Sequence, residues 1–64
     1  MKIHNLPEYA YTYGYILFHD SRSGERWFYG AYPTLGAMCA VANELYAQGD
    51  YALAWCYGYE AVDA

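Results

Sequence analysis

Alternating side chains along residues 9–19 predict the first strand of a sheet. Tyrosines occupy the odd positions as far as Tyr15, and small or aliphatic residues fill most of the even positions. Because successive side chains of a strand point to opposite faces, one face carries tyrosines and the other carries smaller side chains. Pro7 prevents a helix from running into this strand, so residues 1–8 form a lead-in segment.

The same period of two recurs in two later segments. Residues 26–32 follow a polar stretch at 20–25 that contains Gly24, which predicts a hairpin with the first strand. Residues 51–60 again alternate large side chains with small ones. The sequence therefore predicts three strands.

Between the second and third strands, apolar side chains recur at helical spacing. Pro33 or Thr34 suits the first turn of a helix and Gly49 suits its end, so we expect a helix over about residues 33–48. Its predicted inward stripe is Leu35, Met38, Cys39, Ala42, Leu45 and Tyr46. The opposite side carries little charge, which indicates contact with another chain.

The order strand–strand–helix–strand predicts an α+β fold, a single domain over residues 1–64 with one helix on one face of a three-stranded antiparallel sheet. The helix can pack on either of the two faces of the sheet. The face of small residues is favoured, because burying the tyrosine face would leave hydroxyl groups without partners. The alternative places the helix on the large face, with Leu53 and Trp55.

The composition excludes several classes of function. The 64 residues are 58% hydrophobic, include only 3 Lys and Arg, and carry a net charge of −4. Nucleic-acid binders neutralise phosphates with Lys and Arg, so direct binding of DNA, RNA or anionic membranes is disfavoured, and a basic protein surface is the better match. No apolar run of ~18 residues predicts a membrane span. No signal peptide is visible, so a cytoplasmic location is expected.

Candidate chemistry is sparse. Cys39 and Cys56 lie in apolar neighbourhoods and are predicted to be buried free thiols. No pair of ligands has the spacing of a zinc site, so no metal or cofactor is expected. His19 and Asp20, with Glu25 across the turn, form the one acid–base cluster, and no nucleophile is placed beside them. We therefore expect a protein that is not an enzyme.

The aromatic residues are the strongest candidates for a function, because Tyr and Trp are enriched at interface hot spots. The predicted partner-binding residues are Tyr9, Tyr11, Tyr13, Tyr57 and Tyr59, with Glu8 and Glu60 at the rim. A homodimer is also expected, because the aromatic residues exceed what one small core can hold. Its candidate interface residues are Ala40, Val41, Glu44, Ala47, Leu53 and Trp55. The competing interpretation is that the rings only pack the core and rim of a tiny domain.

The acidic residues are spread thinly along the chain, at Glu8, Asp20, Glu25, Glu44, Asp50, Glu60 and Asp63. In kind, a single small acidic domain without a catalytic constellation resembles the proteins that phages encode to disable host defences, anti-CRISPR proteins among them. The resemblance is one of type and covers no motif. It implies an inhibitor that binds a nucleic-acid-handling defence complex in the host cytoplasm. Because nucleic-acid mimics carry denser acidic runs, contact through an aromatic surface is expected; the alternative is a homo-oligomeric structural subunit that uses its aromatic face on itself.

Overall fold

Within residues 2–62, three antiparallel strands and one main helix form the fold, as the order of elements predicts. The computed structural model describes residues 2–62. A 3₁₀ turn, η1 (Ala10–Thr12), precedes β1 (Tyr15–Asp20) and β2 (Arg26–Tyr32), which are followed by α1 (Leu35–Ala47), β3 (Leu53–Tyr57) and the short α2 (Gly58–Val62). The sheet order is β2-β1-β3, so the first strand is central. The α+β fold class is confirmed.

The central strand β1 is buried on both of its faces. Three consecutive residues, Ile16, Leu17 and Phe18, are almost inaccessible to solvent. Because neighbouring side chains of a strand point in opposite directions, each face of the sheet must have a cover. A continuous apolar run of this kind is typical of a strand in the middle of a sandwich of layers.

The first cover lies on the face of Ile16 and Phe18, where short segments from both ends of the chain assemble. The lead-in segment, η1 and α2 contribute most of what packs against this face. The buried cluster comprises Ile3, Ala10, Ile16, Phe18, Cys56 and Ala61. The small face predicted from the sequence is therefore filled by the chain termini, which leaves no room there for α1.

The second cover is α1, which packs over β1 and β2 on the face of Leu17. Met38 is the buried residue of this helix. His19 lies on the same face as Leu17, and its Nε2 is 2.6 Å from Oδ2 of Asp50, just beyond the helix. The favoured prediction that the helix covers the small face is therefore wrong, and the alternative, the large face, is what the structure has.

The helix itself begins and ends close to the predicted positions. Thr34 is the N-cap, and its hydroxyl accepts a hydrogen bond from the N–H of Ala37 at 3.1 Å. Gly49 follows the last turn with a φ of 92°, a conformation that glycine adopts without strain. Pro33 lies outside the helix, which starts two residues later than predicted.

The inward stripe of α1 is rotated from the predicted one. Met38, Val41, Ala42 and Leu45 are buried or half-buried. Three residues of the predicted stripe are exposed instead: Leu35, Cys39 and Tyr46. The helix meets the sheet along a narrow line, so residues at the edge of the predicted stripe remain in solvent.

The predicted first strand is too long at its beginning. Residues 9–13 form η1 and its caps, in which Ala10 N donates to Pro7 O at 3.0 Å and the hydroxyl of Thr12 donates to Tyr9 O at 2.6 Å. These local hydrogen bonds, together with complete burial of Ala10, override the strand propensity of the tyrosines. The strand face of tyrosines expected over residues 9–15 is therefore absent, because β1 begins only at Tyr15.

The predicted third strand is too long at both ends, since β3 covers only Leu53–Tyr57. At Gly58 the chain turns into α2 and carries Ala61 into the cluster below the sheet. A Cβ at Gly58 would meet the backbone oxygens of Tyr11 and Tyr13, so only glycine allows this close approach. Residues 58–60 are thus helical where the third strand is predicted to continue.

Candidate protein-interaction surface

Four aromatic rings form a continuous surface cluster on one side of the sheet. The rings contact in series: Tyr15 with Trp55 at 5.7 Å and with Tyr57 at 5.6 Å, Trp55 with Tyr57 at 5.2 Å, and Tyr57 with Tyr59 at 5.5 Å between centroids. Trp55, Tyr57 and Tyr59 are exposed, and Tyr15 is half-buried. We call these four residues the aromatic cluster.

The register of the sheet places the aromatic cluster. Tyr15 of β1 lies opposite Tyr57 of β3, and Leu17 lies opposite Trp55. These side chains share the face that α1 covers, but the helix packs over β1 and β2. The part of this face that belongs to β3 is left open, so its rings reach solvent.

The predicted partner-binding residues divide into two groups. Tyr57 and Tyr59 belong to the aromatic cluster, which also contains Tyr15 and Trp55. Tyr9, Tyr11 and Tyr13 are exposed on and beside η1, where Tyr9 and Tyr13 are 6.1 Å apart in an edge-on arrangement. The two groups meet at one end of the molecule, because Gly58 packs on the backbone of the second group.

The predicted rim acids and helix residues are also at the surface, with one exception. Glu8 and Glu60 are exposed, and Glu60 directly follows Tyr59 in α2. On α1, Ala40, Glu44 and Ala47 are exposed, whereas Val41 is half-buried and belongs to the inward stripe. The helix candidates lie on a different element from Leu53 and Trp55, which are on β3.

The basic residues lie away from the aromatic cluster. Arg22 is in the hairpin turn, and Arg26, at the start of β2, is 3.9 Å from a carboxylate oxygen of Asp20. Both lie at the end of β1 opposite to Tyr15. Lys2 is exposed in the lead-in segment, two residues before His4. None of these Lys and Arg residues lies on β1, β3 or α2, the elements that carry the aromatic cluster. The acid Asp63 lies outside the described residues.

His19 does not form the acid–base cluster that its neighbours in sequence indicate. Its partner is Asp50, 31 residues away, and both side chains are about one-third exposed. Its ring also meets Tyr29 edge-on at 5.6 Å. The pair joins the end of α1 to the sheet, a structural role for which no local sequence pattern exists.

The two cysteines differ in environment, contrary to the prediction that both are buried. Both are free thiols, but Cys39 is exposed on α1 while Cys56 is buried on the other side of the sheet. Burial raises the pKa of the Cys56 thiol, and the nearby Glu60 raises it further.

We therefore expect Cys39 to react rapidly with a thiol reagent in the native protein and Cys56 to react only after unfolding. The thiolate is the reactive species, and it is both scarce and shielded at Cys56. Mass spectrometry after brief iodoacetamide treatment should show one modification in buffer and two in denaturant. Equal labelling of both cysteines in buffer would contradict the buried position of Cys56.

Comparisons with protein-family models, curated proteins and solved structures found no match to this chain. Neither helix among residues 2–62 combines the length and the hydropathy needed to cross a membrane. No three His, Cys, Asp or Glu side chains of the described residues come together as a set of metal ligands.

Proposed function

We propose that the protein is a non-enzymatic binding module that recognises another protein through the aromatic cluster. The observation that carries this proposal is the series of four touching rings, three of them exposed, on the part of the sheet that α1 leaves open. Tyr and Trp bury a large apolar area with little loss of conformational entropy. Contiguous exposed aromatic surface of this kind marks interaction sites.

A protein fits this surface better than a nucleic acid or a small molecule. Aromatic platforms that stack nucleic-acid bases lie in basic grooves. In this protein Lys2, Arg22 and Arg26 lie outside the elements that carry the aromatic cluster. Small-molecule sites are concave, whereas residues 2–62 enclose no cavity. An open, uncharged surface matches the central part of a protein interface.

The charge of the chain favours a basic partner. The net charge is −4, and Glu60 lies at the border of the aromatic cluster beside Tyr59. Acids around an apolar centre accelerate the encounter with a basic surface more than they increase the final affinity.

The class of target we favour is a host defence complex that handles nucleic acid, with this protein acting as a phage-type inhibitor. Such complexes hold nucleic acid on basic surfaces, which are electrostatically complementary to an acidic domain. Among residues 2–62 the acids are scattered over the lead-in, the hairpin, α1, the loop after it and α2, and they form no phosphate-like row. Inhibition would therefore come from covering a site with aromatic contacts.

The test is affinity capture from a host lysate with the immobilised protein and two variants, each checked for folding by circular dichroism. Tyr57→Ala removes the ring that contacts three others, and Tyr51→Ala removes an exposed tyrosine that stacks on Tyr46 outside the aromatic cluster. We expect wild type and Tyr51→Ala to capture the same protein, and Tyr57→Ala to bind it about 30-fold more weakly, a loss of ~2 kcal/mol.

Equal capture by all three proteins would place the binding surface elsewhere. A different result would identify a structural subunit that uses the aromatic cluster on itself. In that case the wild type captures no protein but self-associates, and Tyr57→Ala abolishes the self-association.

A further inference from the structure

The outer edge of β3 carries backbone groups that point away from the sheet. Ala52 O accepts the N–H of Asp20 at 2.8 Å, and Gly58 N donates to Gly14 O at 3.0 Å. With the register of β1 and β3, these bonds direct the backbone groups of even-numbered residues toward β1. The N–H and C=O groups of Leu53 and Trp55 and the N–H of Tyr57 therefore point outward, and no strand of residues 2–62 pairs with them, because β3 is at the edge of the sheet. The C=O of Tyr57 accepts the first hydrogen bond of α2, which begins at Gly58.

The opposite edge of the sheet is blocked. His4 lies alongside β2, donating its N–H to Arg26 O at 2.7 Å and accepting the N–H of Phe28 at 3.0 Å. Proteins protect exposed edges with charges, prolines or covering segments. Residues 51–58 contain no charged residue and no proline, so β3 lacks both of these protections.

We propose that β3 pairs in antiparallel register with β3 of a second copy of this chain, about a two-fold axis at Trp55. Trp55 lies opposite Trp55 of the second copy, and Leu53 lies opposite Tyr57 of the second copy. The two Trp55 residues then exchange two hydrogen bonds, and the N–H of Tyr57 in each copy donates to the C=O of Leu53 in the other. The three strands of each copy become one continuous sheet.

The properties of β3 favour a second copy over a foreign strand. The centred register aligns the full length of β3 with itself, so four hydrogen bonds form across the seam and only the N–H of Leu53 in each copy lacks a partner there. Chains with a net charge of −4 repel each other, but this seam contains no charged residue. On the face below, Ala54 lies opposite Cys56 of the second copy, and both side chains are small. A strand without charge offers nothing that would select a charged foreign segment.

This pairing uses backbone groups and is independent of the partner proposed for the aromatic cluster. It places the aromatic clusters of the two copies side by side on one face of the joined sheet. It also assigns a dimer interface that includes Leu53 and Trp55 and leaves the exposed residues of α1 outside.

Light scattering over a dilution series tests the association itself. Wild type should approach a mass twice 7.3 kDa. Trp55→Lys should remain at the monomer mass, because two ammonium groups would face each other on the axis. The matched control is Trp27→Lys on β2, since Trp27 is 43% and Trp55 is 42% exposed. That control should dimerise like wild type. A monomeric wild type, or a Trp55→Lys variant that still dimerises, would overturn the proposal.

Disulfide trapping tests the register and does not depend on the stability of the lysine variants. In a Cys39→Ser background, Trp55→Cys should cross-link two copies under mild oxidation, because directly opposed residues have Cα atoms ~5.5 Å apart, within disulfide range. Leu53→Cys should not, because it is displaced by four residues, about 13 Å, from Leu53 of the second copy. Cross-linking at Leu53→Cys with none at Trp55→Cys would refute the register, and cross-linking at neither position would refute the edge pairing.

Discussion

Gly58→Ala should destabilise the protein by about 3 kcal/mol, since the added methyl group has no space. A Cβ at this position would lie 2.7 Å from the backbone oxygen of Tyr11 and closer still to that of Tyr13. Backbone of η1 cannot move aside as the end of a flexible side chain would. A chain of 64 residues has a total stability of roughly 3–10 kcal/mol, so the loss is a large part of it.

The matched control is Gly36→Ala, near the start of α1. Nothing lies within 4 Å of a Cβ there, and alanine is the better helix former by ~1 kcal/mol. Urea unfolding should therefore show Gly58→Ala with a much lower midpoint than wild type and Gly36→Ala with an equal or higher one. If the two variants unfolded at the same midpoint, α2 would not be packed on η1 as described.

Leu17→Ala should cost about 2–5 kcal/mol of unfolding free energy, because it opens a cavity between the sheet and α1. Leu17 is 1% exposed, whereas Leu35 is 43% exposed on the helix and provides the same chemical change without burial. Leu35→Ala should change the unfolding free energy by ~0.5 kcal/mol or less.

Chemical denaturation of both leucine variants measures the difference directly. The comparison tests the placement of α1, since a helix on the opposite face would leave Leu17 in solvent. Similar small losses for Leu17→Ala and Leu35→Ala would contradict the structure on this point.

The sequence was sufficient for the order and type of the main elements, because each has a local signal. The hairpin follows from Gly24 and its polar neighbours, and the ends of α1 follow from Thr34 and Gly49. Periodicity alone does not decide which face the helix covers. The apolar run at residues 16–18 indicates burial on both faces, whereas the expected cost of burying tyrosine hydroxyl groups favours the small face for the helix.

The remaining errors come from contacts between distant parts of the chain. Residues 9–13 have the composition of a strand, yet burial of Ala10 and packing on Gly58 favour a 3₁₀ turn. The partner of His19 is 31 residues away, so no local pattern reveals it. Of the candidate site, Tyr57 and Tyr59 were identified from the sequence. Their contact with the rings of Tyr15 and Trp55 depends on the register between β1 and β3, which is known only from the folded structure.

Hydroxyl-radical footprinting of the complex with the captured protein tests the proposed recognition surface most directly, because it reads the accessibility of every exposed ring at once. The free protein at the same concentration is the reference, so protection due to self-association cancels. We predict strong protection of Trp55, Tyr57 and Tyr59, with Trp27 and Tyr51 oxidised as fast as in the free protein. Unchanged oxidation of the aromatic cluster, with protection at Trp27 or on α1 instead, would contradict recognition through this surface.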